Sequence, residues 1–293
     1  MPIRIVIPDG SMQKVVLNLF SKAGLPVSVE ERRGKGHVAV DWISEVALLR
    51  PQEIPGYLEA GHFDVAIVGQ DWLADWGLGF PVLVELPIGR SGDKPVTIVL
   101  AVDKDSNIDR AEDLPDGCEV ATEYTRLTRR FFDRMGRPKI RVVLSYGKTE
   151  LKVGFGATAI VDVVETGESL AANHLKVIHT LMQSSTVVVA NPASYADRVK
   201  RPYITCFCKL IEGAYRASLY VEMFANVPKA VVAEASQIMK GMKGPTISPL
   251  TTKGWYALHA LVEKSREHKV IFDLLQIRVT GIVVVRDIPL VMT

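Results

Sequence analysis

Cysteine is scarce in this chain: three residues among 293, an odd number that makes no disulfide framework and points to a reducing compartment. Two of them, Cys206 and Cys208, flank Phe207 in an apolar stretch. No second Cys/His pair lies nearby, so they read as core thiols rather than metal ligands. The six histidines are scattered and form no HExxH-type pair, and no structural metal is expected. Long hydrophobic runs are missing, since no apolar stretch approaches the roughly 18 residues of a membrane-spanning helix. The apolar start, Met1 to Pro8, is closed by Asp9 and Gly10 and is too short for a signal-peptide core. An excess of one charge is missing too. The 35 Lys and Arg against 33 Asp and Glu leave +2, spread along the chain, without the clustered basic face of nucleic-acid binders. These absences predict a cytoplasmic protein with neither nucleic acid nor membrane as partner.

What is present is α/β punctuation. Arg4–Ile7 reads as a strand, and Ser11–Ala23 as a helix with Val15, Val16, Leu19, Phe20 and Ala23 on one stripe and Gly24 at its C-cap. Glu53–Ala60 reads as a short helix with Pro55 in its first turn and Gly61 closing it, followed by a strand over Asp64–Gly69. A second series begins near Pro95. Strands are predicted over Thr97–Val102, Glu119–Ala121, Ile140–Leu144 and Thr158–Val164, with a helix over Thr125–Met135 ended by Gly136. Mostly parallel strands, buried on both faces, are the expectation. The strand Ser185–Ala190 returns the chain to the first sheet. From Arg216 the order becomes strand, helix, two strands, helix, strand: Arg216–Phe224, Val231–Met239, Thr246–Ser248, Trp255–Val262, Arg266–Leu275 and Gly281–Arg286. That is the βαββαβ ferredoxin-like plan.

The segment richest in chemistry is Ala159 to Leu170, in which a buried strand runs through Asp162 and Glu165 into Thr166, Gly167, Glu168 and Ser169. Backbone N–H groups of such a loop, with a helix behind them, form an anion cradle. Thr166 and Ser169 add hydroxyl donors, while Asp162 and Glu165 suit ribose hydroxyls or a hydrated Mg²⁺. An ordinary N-capped helix following a strand fits the same local pattern.

The acidic–Thr–Gly–x–Ser–Leu loop after an apolar strand resembles the phosphoribosyl pyrophosphate loop of the ATP phosphoribosyltransferases. Four further segments are similar to that family in the same order: Leu49 to Pro55; Asp64 to Asp71; Ala121 to Tyr124 with Leu127 to Phe132; and Gly244 to Leu250 with Trp255. The last resembles the C-terminal domain of the family's long form. The resemblance implies a two-lobed, periplasmic-binding-protein-like catalytic part and a ferredoxin-like regulatory domain. Lobe I would be residues 1–94 plus 185–214, lobe II residues 95–184, and the histidine-sensing domain residues 215–293. It also implies ATP and phosphoribosyl pyrophosphate as substrates, Mg²⁺ as cofactor, L-histidine as inhibitor, and dimers assembling into hexamers.

Carried over residue by residue, Thr166, Gly167, Glu168, Ser169 and Leu170 form the 5′-phosphate loop. Asp162 and Glu165 meet ribose or metal, Glu150 orients substrate, Arg50 meets a phosphate, and Gly69 and Asp71 line the cleft. Asn226, Met242, Thr246, Leu261 and Ile282 align with the family's histidine contacts. For Arg129 and Arg130 a solvated helix face and a phosphate contact both fit. Three departures from the family pattern stand near the substrates: Asp9 and Ser11 where basic residues are usual, Lys152 and Val153 after Glu150, and Thr158 at an acidic position. With Asp9 in place, either Mg²⁺ or Lys14 would have to offset its charge. Two alternatives accompany the enzyme reading: a divergent paralogue with lost or altered activity that still binds nucleotide, and a non-catalytic solute receptor.

Overall fold

The computed structural model describes residues 2–30, 34–89, 95–165, 167–242 and 244–289. The chain divides into two compact units. One runs to Asn18 and resumes over Val27–Cys208; the other joins Leu19–Pro26 to the residues from Lys209 onward.

In the first unit the strands and helices are β1 (Ile3–Pro8), α1 (Gln13–Lys22, whose end belongs to the second unit), β2 (Val27–Glu30), β3 (Lys35–Val38), β4 (Ile43–Leu49), α2 (Ile54–Glu59), β5 (Val65–Gly69), α3 (Gln70–Trp76) and β6 (Val82–Leu86). These build a sheet of order β2-β3-β4-β1-β5, completed by a later strand and β6. The chain then forms β7 (Val96–Asp103), β8 (Glu119–Thr122), α4 (Thr125–Arg134), β9 (Arg141–Leu144), β10 (Ala159–Val164), α5 (Glu168–Ala172) and β11 (Leu175–Ser184). Their sheet has the order β11-β7-β10-β8-β9. Next, β12 (Thr186–Ala190) pairs antiparallel with β5 and β6 and so rejoins the first sheet.

The sheets are mixed, not mostly parallel. β1 runs parallel to β4 and β5, and β8 parallel to β9 and β10. The flanks are antiparallel, with β2 and β3 as a ribbon on β4 and with β7 between β10 and β11. Burial separates the two regimes. β1 and β5 are near-continuous apolar runs, whereas β3 alternates buried and exposed positions, the mark of a strand with one wet face. Both sheets contribute to one apolar core that includes Val68, Trp72, Leu100, Tyr124 and Val161.

After α6 (Pro192–Ala196) comes a long helix, α7 (Lys200–Ser218). Residues 216–218, expected in a strand, are its last turn. Ile204, Phe207, Cys208, Ile211, Ala214 and Ala217 are buried along it at helical spacing. The second unit then carries β13 (Tyr220–Pro228), α8 (Val232–Ile238), β14 (Thr246–Pro249), β15 (Trp255–Glu263), α9 (Glu267–Gln276) and β16 (Thr280–Val285). Its sheet has the order β14-β15-β13-β16 with antiparallel neighbours. This is the ferredoxin-like arrangement. Alternate residues of β13 and β15, among them Met223, Ala225, Val227, Leu258 and Val262, are buried in the same apolar cluster as Ala235, Val270 and Leu274 from the helices. Among the described residues no helix is long and apolar enough to cross a membrane.

Candidate active site

Parallel strands end their C-terminal edges in loops, and the crevice outside such ends is where open α/β sheets hold ligands. Here Pro8 and Gly69 close β1 and β5 and line a depression with Ser11, Asp71 and Trp72. Val96 and Val163 from the second sheet, and Ser184, Ser185 and Thr186 at the crossover between sheets, complete it. A second depression is formed by Asp162 to Glu165 and Gly167 to Leu170, and Val163 belongs to both. The two depressions meet at that residue.

The loop after β10 is described on both sides of residue 166. Gly167 sits at φ +81°, the left-handed region that a side chain disfavours, and starts α5. The helix begins at Glu168 and has only five residues. A helix so short has little macrodipole, so any anion there would be met by individual N–H groups. Leu170 is buried in one apolar cluster with Val99, Ala121 and Ile160, so its side chain anchors the loop. Asp162 is half-buried, its Oδ1 accepting from the N–H of Val163 at 2.7 Å, while Glu165, Glu168 and Ser169 are exposed. Thr166 lies outside the described residues.

Gly69 and Asp71 meet where α3 begins. Asp71 is 6% exposed. Its Oδ2 accepts from the Tyr124 hydroxyl and its Oδ1 from the Ser184 hydroxyl, both at 2.7 Å. A Cβ on residue 69 would lie 2.1 Å from Asp71 Oδ1, so any side chain there would displace that carboxylate.

Arg50, following β4, places its guanidinium 3.5 Å from the Asp9 carboxylate, which follows β1. Arg50 therefore offsets the unexpected acid, and with 62% of its side chain exposed it still presents N–H groups to solvent. Asp9 also accepts from the N–H of Gly10 at 2.7 Å, capping a 3₁₀ turn over Gly10–Met12. Glu150 is half-buried in a 3₁₀ stretch, Thr149–Phe155, and lines neither depression. Of the other departures, Val153 packs against the core under the loop, and the Thr158 N–H bonds the carbonyl of Glu119 at 2.9 Å.

Arg129 and Arg130 take neither of their expected roles. Arg129 donates to the carbonyl of Ile140 at 2.6 Å, and Arg130 donates to the carbonyls of Ala74 and Asp75 at the end of α3. Tyr124, Ser184 and Asp75 carry no sequence signal for their roles, because their partners lie 52 to 113 residues away along the chain.

Sequence reasoning put five residues in one regulatory site, and the fold separates them. Asn226, Thr246 and Leu261 share the sheet face away from the helices, by register with Ala257, His259 and Glu222. Ile282 instead packs into the helix-covered core. Met242, after α8, contacts the small cluster of Ala217 and Ile288 together with Leu261.

A two-lobed α/β part with a glycine–hydroxyl loop and nearby carboxylates, followed by a ferredoxin-like unit, is an architecture suited to an enzyme that binds phosphorylated ligands. Comparisons with known proteins narrow this. The family model described as ATP phosphoribosyltransferase matches residues 50–213, and that of its C-terminal domain matches residues 217–286. An ATP phosphoribosyltransferase of Koribacter versatilis is 37% identical over 283 residues, covering 97% of each chain. One of Chlorobium phaeobacteroides is 36% identical over 280 residues, covering 96% of this chain and 94% of the relative. Among solved structures, a chain of the ATP phosphoribosyl transferase (HisG:HisZ) complex from Thermotoga maritima aligns at TM-score 0.61 and 25% identity. That alignment covers 72% of this chain and 96% of the other. The chain belongs to the ATP phosphoribosyltransferase family of histidine biosynthesis, which sets aside the solute-receptor reading.

Proposed function

We propose that this site joins N1 of the ATP adenine to C1′ of phosphoribosyl pyrophosphate, releasing pyrophosphate. The observation that carries this reading is left-handed Gly167 at the start of α5, leaving its backbone open to an anion, in a depression that shares Val163 with the one lined by Gly69 and Asp71. Adenine N1 already holds its lone pair, so no strong base is needed. The barrier lies in parting C1′ from pyrophosphate as positive charge builds on the ribose, and positioning with charge stabilisation lowers it. Thr166, Gly167, Glu168, Ser169 and Leu170 hold the 5′-phosphate, largely through backbone N–H groups. Asp162 and Glu165 receive ribose hydroxyls, Arg50 meets a phosphate, Gly69 and Asp71 line the neighbouring depression, and Glu150, which lines neither depression, orients substrate only from outside them.

Among the described residues no group of three or more His, Cys, Asp or Glu is gathered as a metal cage. Mg²⁺ needs no such cage, because it binds through one or two carboxylates together with substrate phosphates and water. Asp162 and Glu165 fit that role, and Mg²⁺ there would neutralise charge on the departing pyrophosphate. The division of labour we propose is lobe I (1–94 and 185–214), lobe II (95–184) and a histidine-sensing domain (215–293), in a cytoplasmic homo-oligomer built from dimers into hexamers.

The test is purified protein with ATP, phosphoribosyl pyrophosphate and Mg²⁺, followed by absorbance of the phosphoribosyl-adenine product with inorganic pyrophosphatase present. Formation of product is expected. A Gly167→Val variant should retain its circular dichroism yet lose most affinity for phosphoribosyl pyrophosphate in calorimetry, since a branched side chain cannot hold φ +81° without strain. Product formation by the native protein but unchanged affinity in the variant would overturn the loop assignment. No product under these conditions would favour the divergent-paralogue reading.

A further inference from the structure

The Asp71 carboxylate is held from outside its own lobe. Asp71 belongs to α3, following a strand of the first sheet, yet both side-chain donors come from the second. Tyr124 follows β8, and Ser184 ends β11. Each hydroxyl is 2.7 Å from a different carboxylate oxygen. Ser184 is fixed in turn, because its oxygen accepts the Asp71 N–H at 3.0 Å while its proton goes to Oδ1. Tyr124 is held by the Thr122 hydroxyl, which accepts its N–H at 2.9 Å, and by its ring against Trp72 with centroids 4.5 Å apart. Gly69 adds a third condition, since a side chain there would occupy the place of Oδ1.

A carboxylate offers about four acceptor positions. Two are taken by these hydroxyls, and the group lines the depression, so a ligand hydroxyl meets it in one orientation. We propose that Tyr124 and Ser184 are positioning residues for the transfer reaction, acting by fixing the Asp71 carboxylate where it lines the depression. This rests on the reading of Asp71 as a substrate-facing residue. Removing a positioning donor leaves the carboxylate free to turn, and displacement of a reacting group's support lowers transition-state binding without abolishing the fold.

The experiment measures kcat and KM for both substrates, and ATP affinity by calorimetry, in Tyr124→Phe and Ser184→Ala, each in the native and in the Asp71→Ala background. In the native background each hydroxyl loss should lower kcat/KM roughly ten- to hundredfold, as for a lost hydrogen bond to a charged group. In the Asp71→Ala background the same changes should alter affinity by less than about twofold, because their target is gone. Gly69→Ala should behave like the hydroxyl variants. If Tyr124→Phe costs as much without Asp71 as with it, Tyr124 acts only by packing and the proposal fails. If Asp71→Ala is damaging while both hydroxyl variants match the native protein, positioning is refuted and the substrate-facing role of Asp71 stands. If Asp71→Ala itself matches the native protein in turnover and affinity, the underlying reading of Asp71 is refuted, and the proposal with it.

Discussion

A buried carboxylate must replace its lost water with hydrogen bonds and opposite charge. Asp64, 1% exposed at the entry to β5, accepts from the Arg4 N–H at 2.8 Å, the Ser194 hydroxyl at 2.6 Å and the Lys200 ammonium at 2.8 Å. Burial alone pushes its pKa up, but the bonds from Lys200, Ser194 and Arg4 outweigh it and hold the carboxyl below its ordinary value. A depressed acid pKa contributes stability above the unfolded value, near 3.9, and that contribution is lost as pH falls through the folded value. Acid unfolding of the native protein should therefore show an Asp64 component at and below pH of about 4. Asp64→Ala should cost about 3–5 kcal/mol at pH 7 by leaving Lys200 partly buried and unpaired, and should flatten that component. Urea midpoints at pH 7 and at about pH 3, below the unfolded value, read both effects; a variant within 1 kcal/mol of native at pH 7 (about the size of one ordinary hydrogen bond) would refute the network's importance. At this scale the sequence reveals residues whose meaning is local. Gly167 is readable because a strand, acids, hydroxyls and a glycine stand together within a dozen positions. The roles of Ser184, Lys200 and Arg130 are not readable, since each is defined by a partner that only the fold brings near.

Between elements, α3 and α4 cap each other. The N-cap residue of α4, Tyr124, makes no side-chain cap bond. Instead Asp75 of α3 accepts from the Leu127 N–H at 2.8 Å and from the backbone of Arg126, in the first turn of α4. In return, Arg130 of α4 donates to the carbonyls of Ala74 and Asp75 in the last turn of α3, and Arg126 stacks 4.1 Å over Trp76. Unpaired N–H groups at one helix start and unpaired carbonyls at another helix end are thus satisfied across two sheets. For Asp75 burial is the largest influence and raises its pKa, although the bonds from Leu127 and Arg126 and the nearby arginines pull the other way. The sign is opposite to that of Asp64. A raised acid pKa means a penalty present above the folded value and relieved as pH falls through it. Asp75→Asn keeps an acceptor oxygen for Leu127 without the buried charge, and its stability at pH 7 should stay within about 0.5 kcal/mol of native or exceed it. Asp75→Ala should lose about 1–2 kcal/mol, the ordinary cost of a removed helix cap. Equal losses in urea titrations of the two variants would show that the charge, not the cap, matters. Elements themselves were read well where one period dominates, as in β1, β5, α4 and β15. They were misread where two patterns overlap. Residues 216–224 alternate like a strand, yet the helical stripe from Ile204 to Ala217 carries α7 through residue 218 first. The antiparallel ribbon of β2 and β3 escaped because both strands are short and half-exposed, with too few apolar positions to announce a sheet.

At the scale of the whole chain, the order of elements was sufficient to reveal a βαββαβ unit, and the register now constrains what that unit can bind. Strand pairing puts Asn226, Thr246 and Leu261 on the open face of its sheet, near Phe224 and His259, whose rings stack at 4.5 Å, and Glu222, 2.8 Å from His259. Ile282 lies on the other face, within the core, so its part in any histidine site is support rather than contact. Alignment with a family yields positions in a line, whereas the alternation of a strand decides which of them face the same way. The regulatory reading can therefore be tested with two variants that should behave differently. Titration of the intact protein with L-histidine should show binding together with loss of activity. Thr246→Ala should weaken binding about tenfold through one lost hydrogen bond to a charged ligand while leaving the thermal midpoint near native. Ile282→Ala should instead lower the midpoint, with any change in histidine affinity following from the loosened core. Because coupling between two sites is reciprocal, saturating ATP and phosphoribosyl pyrophosphate should weaken histidine binding by the factor with which histidine weakens theirs. An intact protein that neither binds nor responds to millimolar histidine would refute the sensing role, and a Thr246→Ala variant with native affinity would place the ligand elsewhere on the unit.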